Sequence, residues 1–137
     1  MSKFLALSAL LGTAILSVPT AARAQSTSDD SAYLNDLYSF LRSQDGLTYQ
    51  IAAQELGGEY NVWAAQMFCQ TLAAGVSPEQ AFSAFSNAAM AEAANYGSVP
   101  DEVGYAIGLY GGAVMNLGAA YYCPQYQPRV EQALRSL

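Results

Sequence analysis

Apolar residues recur along this chain at intervals of three and four, the spacing that lines one face of an α-helix. In the first such stretch, Leu34, Leu37, Tyr38 and Leu41 share a face, with Tyr33 and Phe40 beside them. Ser28 to Ser31 supplies N-cap side chains and early acidic charge, and Gly46 is placed to end the helix. The stretch from Leu47 to Glu59 fits either a short helix or an irregular link, with a break at Gly57-Gly58. A second clear helix runs from about Tyr60 to Ala74 on the stripe Val62, Ala65, Cys69 and Leu72, with Phe68 adjacent. Gly75 suits the left-handed position that follows a helix.

Ser77-Pro78-Glu79-Gln80 is the sharpest local signal. Serine caps, proline takes the first helical position, and Gln80 is placed to close a capping box. The third helix then carries Phe82, Phe85, Ala89 and Ala93 and stops near Gly97. Pro100-Asp101-Glu102 opens a fourth, in which Val103, Ile107, Tyr110, Val114, Leu117 and Tyr121 repeat in steps of four and three. The neighbouring stripes are equally uncharged, so this helix is apolar all round and predicts burial on every side or a membrane. Its motif Gly104-x-x-x-Gly108-x-x-x-Gly112 resembles a membrane-helix contact. Five glycines, four tyrosines and Asn116 nevertheless make Val103 to Tyr122 weakly hydrophobic, which favours a protein core. Those glycines cost about 1 kcal/mol each against alanine, so packing must return roughly 5 kcal/mol. Pro124 ends the helix, and Pro128 to Leu137 forms a short last one. The pattern predicts an all-α fold: a small bundle of four to five helices around a glycine-rich central fourth helix, with one disulfide.

Composition changes the picture first at the N-terminus. Lys3, an apolar run from Phe4 to Val18, and small residues at Ala22-Arg23-Ala24 read as a signal peptide over residues 1–24. Cleavage between Ala24 and Gln25 leaves a flexible lead-in over residues 25–30 and a single helical domain over residues 31–137. The rival, a retained anchor, is disfavoured because spanning takes about 20 apolar residues. An exported protein, periplasmic or secreted, with no transmembrane anchor after cleavage is expected.

Losing the leader removes the one lysine and one of four arginines. Residues 25–137 hold three arginines against eleven carboxylates, a formal charge of −8, and no histidine or lysine. Nucleic acid is excluded as a partner because phosphate neutralisation needs a basic face. Docking on anionic lipid fails for the same reason. An acidic surface serves solubility or a cationic partner.

Two cysteines, Cys69 and Cys123, remain in what the leader marks as an oxidising compartment, the usual setting for a disulfide. A metal site wants more ligands and histidine, and a redox pair is normally close in sequence. Phe40-Leu41, Gly46, the run Cys69-x-x-Leu72-x-x-Gly75-x-Ser77 and the closing Ala120-Tyr121-Tyr122-Cys123-Pro124 resemble the exported helical domains grouped as domain of unknown function 732. The resemblance runs from about Asp36 to Pro124. It implies a small exported α-helical domain whose two cysteines pair, and it carries over no catalytic residue.

Candidate chemistry is sparse. Serine and cysteine nucleophiles need a base, most often histidine or lysine. The acid pairs Asp29-Asp30 and Asp101-Glu102 sit at helix starts, where carboxylates offset the helix dipole. No spaced oxygen-ligand pattern for calcium occurs. Most of the ten tyrosines fall at core or helix-end positions; Tyr121 or Tyr122 as a haem ligand is the remote alternative. The expectation is therefore a non-enzymatic exported domain without cofactor or metal, binding a partner protein or an envelope component. Its rivals are a carrier of a small apolar ligand in a pocket between helices and a carboxylate-dependent enzyme.

Overall fold

The computed structural model describes residues 27–137, which contain six α-helices and no strand. The helices are α1 (Thr27–Gln44), α2 (Gly46–Gln50), α3 (Gly58–Ala73), α4 (Pro78–Ala94), α5 (Asp101–Tyr122) and α6 (Gln127–Arg135). A π-helical turn, Ile51–Leu56, joins α2 to α3, and a 3₁₀ turn, Pro124–Tyr126, joins α5 to α6. The expected cleavage site at Ala24 and Gln25 lies outside the described residues.

The all-α reading and the single cross-link agree with the structure; the helix count does not. Residues 47–59, which fit either a short helix or a link, take part in a helix of their own, so the glycine-rich helix is the fifth among the described residues and not the fourth. Asp45 is the reason. Its side chain accepts hydrogen bonds from the Thr48 amide (3.0 Å) and hydroxyl (2.6 Å), which caps α2 directly after α1 ends. Helix α1 also begins inside the stretch expected to be a lead-in. Thr27 to Asp30 already belong to α1, where Asp29 and Asp30 lie in the first turn and favour helix through the dipole.

Other boundaries follow their local chemistry. Ser77 and Gln80 close the expected capping box at the start of α4. At the end of α3, Gly75 takes φ 94°, and its amide bonds to Leu72 O while that of Val76 reaches Thr71 O. That pair of bonds satisfies carbonyls the helix leaves orphaned, and only glycine adopts the conformation without strain.

The core is built from one face of each long helix. On α1 it is Tyr33, Leu37 and Leu41, all completely buried, while Leu34 and Tyr38 flank them half-buried. On α3 the buried face is Asn61, Ala64, Ala65, Phe68 and Leu72; on α4 it is Ala81, Phe85 and Ala89. Burying each large apolar side chain contributes about 1.5–3 kcal/mol. Helix α5 touches every other helix, and around it α1 meets α3, α3 meets α4 and α4 meets α6.

That ring stays open between α6 and α1, so α5 is not enclosed all round as its apolar pattern predicts. Tyr105 is 57 % exposed, and Gly108, Gly112 and Asn116 face a trough lined by Phe40 and Leu134. No helix among the described residues is long and apolar enough to cross a membrane.

Two glycines explain how α5 packs so closely. A Cβ on Gly118 would lie 2.8 Å from Ala65 Cβ, and one on Gly111 would lie 2.7 Å from the Phe85 ring. The close approaches are thus at Gly111 and Gly118, seven residues apart on one face, and not along Gly104, Gly108 and Gly112. At Gly108 an added Cβ would meet nothing within 4 Å.

Candidate functional site

The disulfide and a set of long-range polar contacts gather where α1, α3 and the end of α5 meet. Cys69, late in α3, is bonded to Cys123, the residue closing α5, with Cα atoms 5.8 Å apart. Both predicted disulfide residues are therefore brought together, and no free cysteine remains. The two residues before Cys123 add polar pins. Tyr122 donates its hydroxyl to Asp30 (2.6 Å) and Tyr121 donates to Asp36, which ties the last turn of α5 to the first half of α1. The Tyr33 ring packs edge-on between them, with ring centroids at 6.2 Å from Tyr121 and 5.3 Å from Tyr122. Burial and the Asp30 hydrogen bond both raise the Tyr122 pKa; for Tyr121 the bond to Asp36 leads and burial follows.

Beneath this sits a polar cluster that the apolar pattern missed. Asn61 is completely buried. Its Nδ2 donates to Tyr38 Oη (3.0 Å) and to Ala52 O (2.9 Å), and its Oδ1 accepts from the Tyr110 hydroxyl (2.8 Å). Its backbone carbonyl takes the Tyr33 hydroxyl at 2.9 Å. One asparagine thus joins α1, the π turn, α3 and α5. Ala52 O, which accepts the i+5 amide of Gly57 in the π turn, also accepts from Asn61. The pKa values of Tyr33 and Tyr110 are both pushed up, first by burial and then by neighbouring tyrosines. A usable signal existed in the sequence, since Asn61, Ala65, Phe68 and Leu72 recur at helical spacing. The apolar stripe Val62, Ala65, Cys69 and Leu72 is turned part-way off that face: Ala65 and Leu72 are buried as expected, while Val62 and Cys69 are only partly buried.

That turn has a consequence on the outside of α3. Val62 is half-buried rather than core, and with Glu59, Trp63 and Gln66 it lines an open groove of about 680 Å³ against Asp30 and Leu34 of α1. The Tyr60 and Trp63 rings lie side by side there, 5.3 Å between centroids. Asp30 is held on the rim by Tyr122.

Two other concavities differ in character. An apolar cavity between the π turn, α4 and α5 has only about 30 Å³, room for one water molecule. The trough beside Phe40 and Leu134 has about 270 Å³, and the buried Asn116 Oδ1 within it has no hydrogen-bond partner among the described residues.

The remaining sequence candidates are dispersed. Asp101 and Glu102 are exposed in the first turn of α5, on the far end of that helix from Asp29 and Asp30. No group of three metal-ligating side chains occurs among the described residues. The hydroxyls of Tyr121 and Tyr122, the remote haem candidates, are both engaged by carboxylates. No family model matches the chain, and neither a curated protein nor a solved structure matches it.

Proposed function

We propose that this chain is an exported, non-enzymatic helical domain that binds a partner protein or an envelope component. The observation that carries the reading is the open groove between α1 and α3, where Leu34, Val62 and Trp63, each partly buried against the core, leave part of their apolar surface to solvent. Export is supported by the leader pattern of residues 1–24, and a disulfide is compatible with it. The absence of histidine and lysine beyond Lys3 supports the non-enzymatic part, because the common general bases are missing. The likeness to domain of unknown function 732 belongs to the same proposal. So does the role of glycine-rich α5 as the scaffold on which α1 and α3 are held apart at the groove.

A second reading is favoured by one feature, the trough beside Phe40, Leu109, Leu117 and Leu134, which suits a small apolar ligand. Native mass spectrometry of protein purified from its own source separates the two. The mass of the processed chain, alone or with a second polypeptide, supports the binding domain. A small apolar molecule retained on the chain, and lost on substituting Leu109 or Leu117 by aspartate, overturns it in favour of a carrier.

A further inference from the structure

The groove between α1 and α3 has a composition that selects its occupant. Its floor is apolar and aromatic, from Leu34, Val62 and Trp63 with Tyr60 alongside. Its charged residues, Asp30 and Glu59, are both anionic. The arginines of the described residues lie elsewhere. Arg42 stacks over the Tyr49 ring at 4.5 Å and donates to its hydroxyl, Arg135 pairs with Glu131, and Arg129 is exposed on α6.

Resting on the binding function proposed above, we infer that this groove docks a cationic amphipathic segment of a partner protein. The apolar side of the segment lies on Leu34, Val62 and Trp63, and its Lys or Arg side chains meet Asp30, Glu59 and the Trp63 face. Glu59, Val62, Trp63 and Gln66 share one face of α3 about 10 Å long, which with Leu34 of α1 makes a groove into which an amphipathic helix can lay its apolar side. An acidic or neutral apolar segment would desolvate both carboxylates without pairing them, which opposes binding, whereas a cation pairs with them. A cation over the tryptophan face adds a cation–π attraction that an acidic segment lacks. Asp30 is also preorganised: the Tyr122 hydroxyl fixes its carboxylate before any partner arrives, so less freedom is lost on docking.

Trp63 is the chain's one tryptophan, so the groove carries its own reporter. The probe is a synthetic Leu/Lys amphipathic helix of about four turns, added to protein purified after expression of the full chain. The Trp63 emission is expected to shift to shorter wavelength and saturate, with an apparent Kd that rises with salt. D30N/E59Q removes two exposed-type charge pairs and weakens binding roughly tenfold. The charge-matched control E79Q/E92Q on α4 leaves it within about twofold. Should D30N unsettle α1, E59Q alone, at an exposed position, is expected to weaken binding about threefold. Equal weakening by the α4 control, equal binding of a Leu/Glu peptide, or full reproduction of the shift by tetramethylammonium overturns the inference. So does a shift that follows self-association of the chain. The binding-domain reading falls separately, on the mass measurement above.

Discussion

Gly118→Ala adds one methyl group at the tightest point between α3 and α5. The new Cβ would lie 2.8 Å from Ala65 Cβ and 3.1 Å from Ala65 Cα, where carbon–carbon contacts are comfortable from about 3.5 Å. The nearer contact is backbone-anchored, so relief requires the helices to part by roughly 0.7 Å, at an overpacking cost of about 1–3 kcal/mol. Alanine simultaneously gains about 1 kcal/mol of helix propensity. Gly108→Ala gains the same propensity term and meets nothing within 4 Å. The difference between the two variants therefore isolates the steric term: Gly118→Ala should be less stable than Gly108→Ala by about 1–3 kcal/mol. Urea unfolding followed by far-ultraviolet dichroism and by Trp63 emission measures this, provided both probes give one coincident transition. Equal stability, or a more stable Gly118→Ala, would refute the close packing of α5 against α3 at that point.

Replacing Cys69 and Cys123 by serine opens a loop with sequence separation 54 and should lower stability by about 4 kcal/mol in the chain-entropy account, read as a shift in urea midpoint. Thiol titration of unfolded, unreduced protein should find none. Asn61→Leu leaves the Tyr110 hydroxyl buried without its acceptor and frees Ala52 O, so a loss of about 3 kcal/mol is expected. The same variant should raise amide exchange in residues 51–57; unchanged exchange there would count against Asn61 holding the π turn. Alkali gives a further test, because burial raises the pKa values of Tyr33 and Tyr110 and so favours their neutral form in the folded state. That contribution is complete below about pH 10, where unfolded tyrosine ionises, and is lost above it at about 1.4 kcal/mol per pH unit for each residue. Phenolate absorbance should therefore show a late cooperative step that coincides with loss of helical dichroism. All ten tyrosines ionising near pH 10 with the fold intact would contradict it.

What the apolar pattern conveyed, and what it did not, follows from the range of each interaction. Local signals were legible: the Ser77–Gln80 capping box, the Gly75 terminus and the opening of α5 after Pro100 are written in adjacent residues. Asp45 is equally local, yet its cap on α2 is masked because α1 ends one residue earlier and no apolar period marks so short a helix. The rotation of α3 was not legible from apolar residues alone. Its buried face begins with asparagine, whose cost in a core is cancelled only by partners from three other elements. Taking Val62 as core hid the groove, since the outward stripe appears only when Asn61 is turned inward. The glycines of α5 were visible as a group, but which of them meet a neighbour depends on where Ala65 and Phe85 arrive. The cysteine pairing needed no such knowledge, because two cysteines in one chain allow a single intramolecular bridge.

Partner binding is assigned to the groove between α1 and α3. Amide chemical-shift mapping of the isotope-labelled protein with the Leu/Lys peptide locates binding residue by residue. The prediction is a contiguous set of shifts at Asp30, Leu34 and Glu59 to Gln66, with the Trp63 indole among the largest. Shifts centred instead on Phe40, Leu109 and Leu134, or spread evenly over the acidic surface, would contradict it.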